Sequence, residues 1–148
     1  MKFAIVAHGY SGATLPLANH LAKAGHQVTC YYFCWYGATS TESLDYGVKI
    51  TEITIIDHNN SIYRYLDESV ELVIVPVHNL KSKNNSLKRI TARFINQYRL
   101  RKLTTLIQSQ CFDLVNVLVY TEFDYFVLKS LYKIGVKCCQ TYHEVLNA

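Results

Sequence analysis

The 148-residue chain is half apolar, holds only two prolines and six glycines, and carries a net charge of +4. That mixture excludes a disordered, collagen-like or low-complexity segment and suits one domain, which buries roughly 70% of its unfolded surface on folding. Cys30, Cys34, Cys111, Cys138 and Cys139 are odd in number and lack CxxC spacing, so they read as reduced thiols of a cytosolic protein rather than a disulfide framework or a metal site.

Residues 2–7 form a short apolar run typical of a strand buried on both faces, and too short for a secretory core. Residues 8–12, with Gly9 and Gly12, make a turn in which glycine permits close backbone approach. Leu15, Leu17, Ala18, Leu21 and Ala22 then recur at helical spacing, with Thr14 as N-cap, Pro16 in the first turn and Gly25 at the left-handed cap. A second strand over 27–33 completes a strand–helix–strand crossover.

Residues 34–46 read as a long polar loop, 48–56 as a strand, 62–66 as a short helix and 71–77 as another buried strand interrupted by Pro76. The longest helical pattern is 86–110, where Leu87, Ile90, Phe94 and Tyr98 share one face and Leu100, Leu103, Leu106 and Ile107 another. A bend near 96–99, or packing on two sides, is expected there. The end of the chain is regular again: a strand over 112–120, a helix over 122–134 closed by Gly135, and a strand over 136–142. Alternating strands and helices predict an α/β domain, a doubly wound, Rossmann-like parallel sheet between helical layers in a three-layer αβα sandwich.

Between residues 72 and 112 lie eight basic side chains and no acid. The segment reads either as a solvated helix face or as a contact for anionic lipid head groups, with Lys88, Arg89 and Arg93 as the contacting cations. Phe94 and Tyr98 are expected in the core with Leu87 and Ile90. Without aromatic side chains interleaved for base stacking, nucleic acid is not the expected partner.

Ligands of open parallel sheets sit beyond the carboxyl ends of the strands. Three segments leave strands there: 8–13, 120–124 and 143–145. The first can offer backbone N–H groups to an anion at a helix start, or be a turn that needs glycine for geometry alone. Glu122 reads as a ligand carboxylate or as an acid favoured by the helix dipole. His143 reads as an acid–base or donor group near the reaction centre, or as a loop histidine.

Three stretches carry a likeness to a known family. MKFAIVAHGYSGATLPLANHLAKAGHQVTCYYF resembles the first strand, glycine-bearing loop, helix and "GH-x-V" second strand of the N-terminal domain of GT-B fold glycosyltransferases, in particular the retaining, family 4-like group. FDLVNVLVYTEFDYFVLKSLYKIGVK is similar to that family's "DhVHxH" strand and following helix, with Asn116 and Leu118 in place of the strand histidines. TYHEV resembles the "TxHD" strand end. The likeness covers residues 1–148 as an acceptor-side N-terminal domain, with the C-terminal donor-binding domain and its paired glutamates absent. It implies transfer of a sugar from a nucleotide sugar to a glycan or lipid-linked acceptor, without a metal or other cofactor, in the cytoplasm or peripheral to the inner face of a membrane. It also implies Gly9 and Gly12 beside the donor phosphates, Glu122 near the substrate and His143 in catalysis. The residues themselves leave two alternatives open: a free-standing nucleotide- or dinucleotide-binding module, and a non-catalytic interaction domain using the basic helix.

Overall fold

The computed structural model describes residues 1–8, 14–36, 50–119 and 121–142. Among these residues, six strands and three α-helices follow in the order β1 (Lys2–His8), α1 (Thr14–Lys23), β2 (Gln27–Tyr36), β3 (Thr54–Ile55), β4 (Glu71–His78), α2 (Ser86–Ser109), β5 (Leu114–Val119), α3 (Glu122–Lys133) and β6 (Cys138–Tyr142). The strands form one sheet in the order β3-β4-β2-β1-β5-β6. All pair in parallel except the two-residue β3, which lies antiparallel on the edge beside β4. The fold is therefore the expected Rossmann-like α/β sandwich, with a mixed rather than wholly parallel sheet.

Handedness places the helices. The step from β1 through α1 to β2 runs one way across the sheet, and the step from β4 through α2 to β5 runs the other way. Right-handed crossovers in opposite directions put their helices on opposite faces. Strand side chains divide accordingly. Ile5, Ala7, Val28, Cys30 and Tyr32 pack with Ala18 of α1 and with Ile62 of a 3-10 turn at Ser61–Arg64. Ala4, Val6, Tyr31, Phe33 and Val75 pack with Leu100, Leu103 and Ile107 of α2 and with Val127, Leu128 and Leu131 of α3. Period-two alternation thus feeds two cores from each central strand.

Several boundaries differ from expectation. β2 continues through Cys34, Trp35 and Tyr36 because these residues pair with Pro76, Val77 and His78 of β4. The strand expected over 48–56 shrinks, in its described part, to Thr54–Ile55. Side chains engage the carbonyls ahead of it: Arg99 donates to Thr51 O at 2.9 Å, and Thr54 Oγ1 donates to Glu52 O at 2.8 Å. β6 starts late because Gly135 N–H and Val136 N–H close α3, donating to Tyr132 O and Leu131 O, with Gly135 at φ 80°. That is the left-handed helix stop that glycine favours.

The largest correction concerns α2. It is one helix over its whole length, capped by Asn85, whose side chain accepts from Leu87 N–H at 2.8 Å. Its inward face is Ala92, Asn96, Arg99, Leu100, Leu103 and Ile107, whereas Leu87, Ile90, Phe94 and Tyr98 are exposed rather than in the core. Polar residues take the inward positions because the backbone needs them. Asn96 accepts from His78 N–H at 2.8 Å and donates to His78 O at 2.9 Å, pairing with the end of β4 as a neighbouring strand would. Arg99 donates to Pro76 O at 3.1 Å.

Candidate functional site

The five parallel strands end at His8, Tyr36, His78, Val119 and Tyr142, all on one edge of the sheet. Strand order reverses between β1 and β5, the place where this architecture receives ligands. α1 and α3 both begin at this edge, so the positive ends of their dipoles point toward the rim.

One side-chain pair occupies the switch point. His8, the last residue of β1, places Nδ1 2.6 Å from Oδ1 of Asp124 in the first turn of α3. Asp124 is 0% exposed and His8 13%. The aspartate is fixed from its other side: its Oδ2 accepts from Thr121 N–H at 2.8 Å and from Thr121 Oγ1 at 3.1 Å, and Asp124 N–H faces Thr121 Oγ1 at 3.4 Å. That reciprocal capping box holds the carboxylate rigidly against β1. A bare imidazole lone pair facing a carboxylate at this distance would be repulsive, so Nδ1 carries the proton. In a neutral ring Nε2 is then the basic nitrogen. Phe33 lies against the imidazole at 5.1 Å, and Phe123 meets Phe33 edge-on at 5.1 Å, so apolar rings wall the pair.

A second histidine, His78, ends β4 on the same edge. Partial burial lowers its pKa, and the Arg99 and Lys83 cations lower it further, so it is neutral at pH 7. Among the described residues no group of three His, Cys, Asp or Glu side chains can hold a metal ion. All five cysteines are free thiols. Burial pushes that of Cys30 up to about 12 and that of Cys138 up to about 11, which makes both poor nucleophiles.

Gly9, Gly12 and His143 lie outside the described residues, but the strands they follow, β1 and β6, both end on the rim. Glu122 is exposed at the first position of α3, on the same edge. The carboxylate that meets β1 is Asp124, two residues further on. Lys88, Arg89 and Arg93 are exposed on α2, and Arg89 Nη2 donates to Lys83 O at 3.2 Å. Sequence reasoning reaches both segments of the dyad, 8–13 and 120–124, without singling out His8 or Asp124. The available signal is Thr121-x-x-Asp124 ahead of an apolar helix, a capping box that marks Asp124 as held in place.

Sheet order, crossover handedness and a rim site at the strand-order reversal define the molecule as a Rossmann-like α/β domain. Solved structures share that fold at low sequence identity. Two structures of the C-terminal domain of a hydrogenase from Pyrococcus furiosus match with TM-scores of 0.54 and 0.55 at 17% and 16% identity. They cover 94% and 95% of this chain and 88% and 89% of those domains. A UDP-forming α,α-trehalose-phosphate synthase from Burkholderia vietnamiensis matches over 96% of this chain and 32% of its own, at 13% identity and a TM-score of 0.50. No family model matches the sequence, and no curated protein does.

Proposed function

We propose that this chain is the acceptor-side, N-terminal half of a glycosyltransferase. It works with a donor-binding domain to move a sugar from a nucleotide sugar onto a glycan or lipid-linked acceptor. The observation that carries the reading is the buried His8–Asp124 pair at the strand-order reversal, flanked by two helix N-termini. Fold likeness to a UDP-forming synthase over about a third of that enzyme's length is consistent with half of a two-domain enzyme. In the reaction the bond from the sugar's anomeric carbon to the diphosphate oxygen breaks, and a bond to the acceptor oxygen forms. The acceptor's hydroxyl proton must leave, and the diphosphate must carry new negative charge. We assign His8, with Nε2 the basic nitrogen of the neutral ring, to relay that proton. The helix N-termini supply N–H groups toward the phosphates, and Gly9 and Gly12, which lie outside the described residues, are assigned to the same phosphates. His143, outside the described residues, is assigned to catalysis and the exposed Glu122 to substrate binding. Such an enzyme works on the cytoplasmic side, and among the described residues no helix is long and apolar enough to cross a membrane.

The test is release of UDP or GDP from a panel of nucleotide sugars by the complete gene product, beside the 148-residue chain alone. The complete protein should turn over one donor, and His8→Ala should lower kcat by roughly 10²–10⁴-fold. The chain alone should show none. Turnover by the chain alone would overturn the half-enzyme reading. Tight binding of NAD or a flavin would instead mark a free-standing dinucleotide module.

A further inference from the structure

The first part of α2 stands beyond the sheet. Asn96 is bonded to His78, the last residue of β4, so residues 86–95 lie past the strand end, an overhang of about 15 Å at 1.5 Å per residue. α2 packs there against a 3-10 turn at Leu80–Ser82 and buries Ala92. At 3.6 residues per turn, Leu87, Ile90, Phe94 and Tyr98 form one stripe, roughly opposite the inward face of the helix. These four side chains are 52–72% exposed, so the crest of the helix is apolar and turned away from the domain.

The sides of the helix are cationic. At 3.6 residues per turn Lys88 and Lys102 lie to one side of the crest and Arg93 to the other, all exposed on a helix with no acidic residue, and Lys102 Nζ stands 5.9 Å from the centre of the Tyr98 ring. An apolar crest between basic flanks is complementary to one surface in particular: the acyl–headgroup boundary of an anionic bilayer. There the rings and aliphatic groups enter the interface, and lysine and arginine reach back to phosphate. Two copies of the helix facing each other would set like charges together, which disfavours a self-dimer. A convex crest without a groove fits a plane better than a peptide. The geometry points to α2 as an interfacial helix that docks the domain on anionic lipid, with the sheet's ligand edge beside the membrane.

Co-sedimentation of the chain with phosphatidylcholine vesicles, with and without phosphatidylglycerol as a major component, tests this. Binding is expected only to the anionic vesicles and should weaken as salt rises. Each basic side chain near such a surface contributes about a fivefold factor, so Lys88→Gln with Arg93→Gln should lower partitioning roughly thirty-fold. Phe94→Ser with Leu87→Ser should lower it by roughly tenfold or more. All four positions are exposed, and unchanged circular dichroism verifies folding. Any of these outcomes overturns the proposal: no binding to anionic vesicles, binding indifferent to the apolar substitutions, or tighter binding to a mixed-sequence oligonucleotide than to vesicles. Concentration-dependent dimerisation abolished by Phe94→Ser would likewise overturn it, by giving the crest to a second copy.

Discussion

The fully buried Asp124 carboxylate accepts from Thr121 N–H and Thr121 Oγ1 and faces His8 Nδ1. Asp124→Ala removes all three. Loss of the cap costs about 1 kcal/mol, and stranding the His8 ring and the Thr121 N–H adds about 2 kcal/mol. For a chain of this size about 3 kcal/mol corresponds to roughly 10 °C in Tm. Asp124→Asn keeps the shape and an oxygen for the Thr121 N–H, so its Tm should fall only about 3 °C. It presents an amide, however, and an NH2 facing Nδ1 moves the ring proton to Nε2. On the proposed transferase reading, kcat should then fall by roughly 10²-fold or more while the fold survives. The assay pairs thermal unfolding followed by circular dichroism with nucleotide release. A double-mutant cycle of His8→Ala and Asp124→Ala should return a coupling of about 1–2 kcal/mol. Zero coupling, or an Asp124→Asn enzyme as fast as the parent when His8→Ala is dead, would refute the view that Asp124 positions His8.

The structure makes two further predictions. His78 has its pKa held below the ordinary 6.5 by partial burial and then by the Arg99 and Lys83 cations. The unfolded chain therefore binds that proton more readily, and the histidine's contribution is intact above 6.5 and lost as pH falls below it. Urea unfolding at about pH 7.5 and about pH 5.5 should show wild type losing more stability than His78→Asn; equal losses would contradict the shift. Arg99 forks to Pro76 O and Thr51 O, so Arg99→Leu should cost about 2–4 kcal/mol and Arg99→Lys about half as much, because an ammonium reaches one carbonyl well and not two. Both variants within about 0.5 kcal/mol of wild type in urea unfolding would remove the clamp from the account.

The β1–α1–β2 crossover was legible because a short apolar run, a glycine-bearing turn and helical spacing leave few other solutions, and Gly25 does adopt a left-handed φ of 82°. The inward face of α2 was not. Its sequence carries apolar side chains on two sides, and periodicity cannot say which side meets the sheet. Asn96 and Arg99 decided it by satisfying backbone groups of β4 and the segment before β3, partners invisible until the chain is folded. The His8–Asp124 pair escaped for a similar reason: two side chains from distant parts of the chain meet only through the β1–β5 pairing. Glu122 drew attention as the first acid after the strand, whereas helix geometry turns the residue two positions later toward β1.

That pairing has a cost during synthesis. Phe3 sits beside Leu114, and β2, on the other flank of β1, is completed by β4. A central strand of the sheet is therefore made well before one of its two partners. Closing so long a loop is slow, and until β5 emerges β1 offers an unpaired apolar edge to any nascent neighbour. The domain is thus expected to rely on holding chaperones while it is made, and a fragment stopping before β5 should aggregate rather than fold.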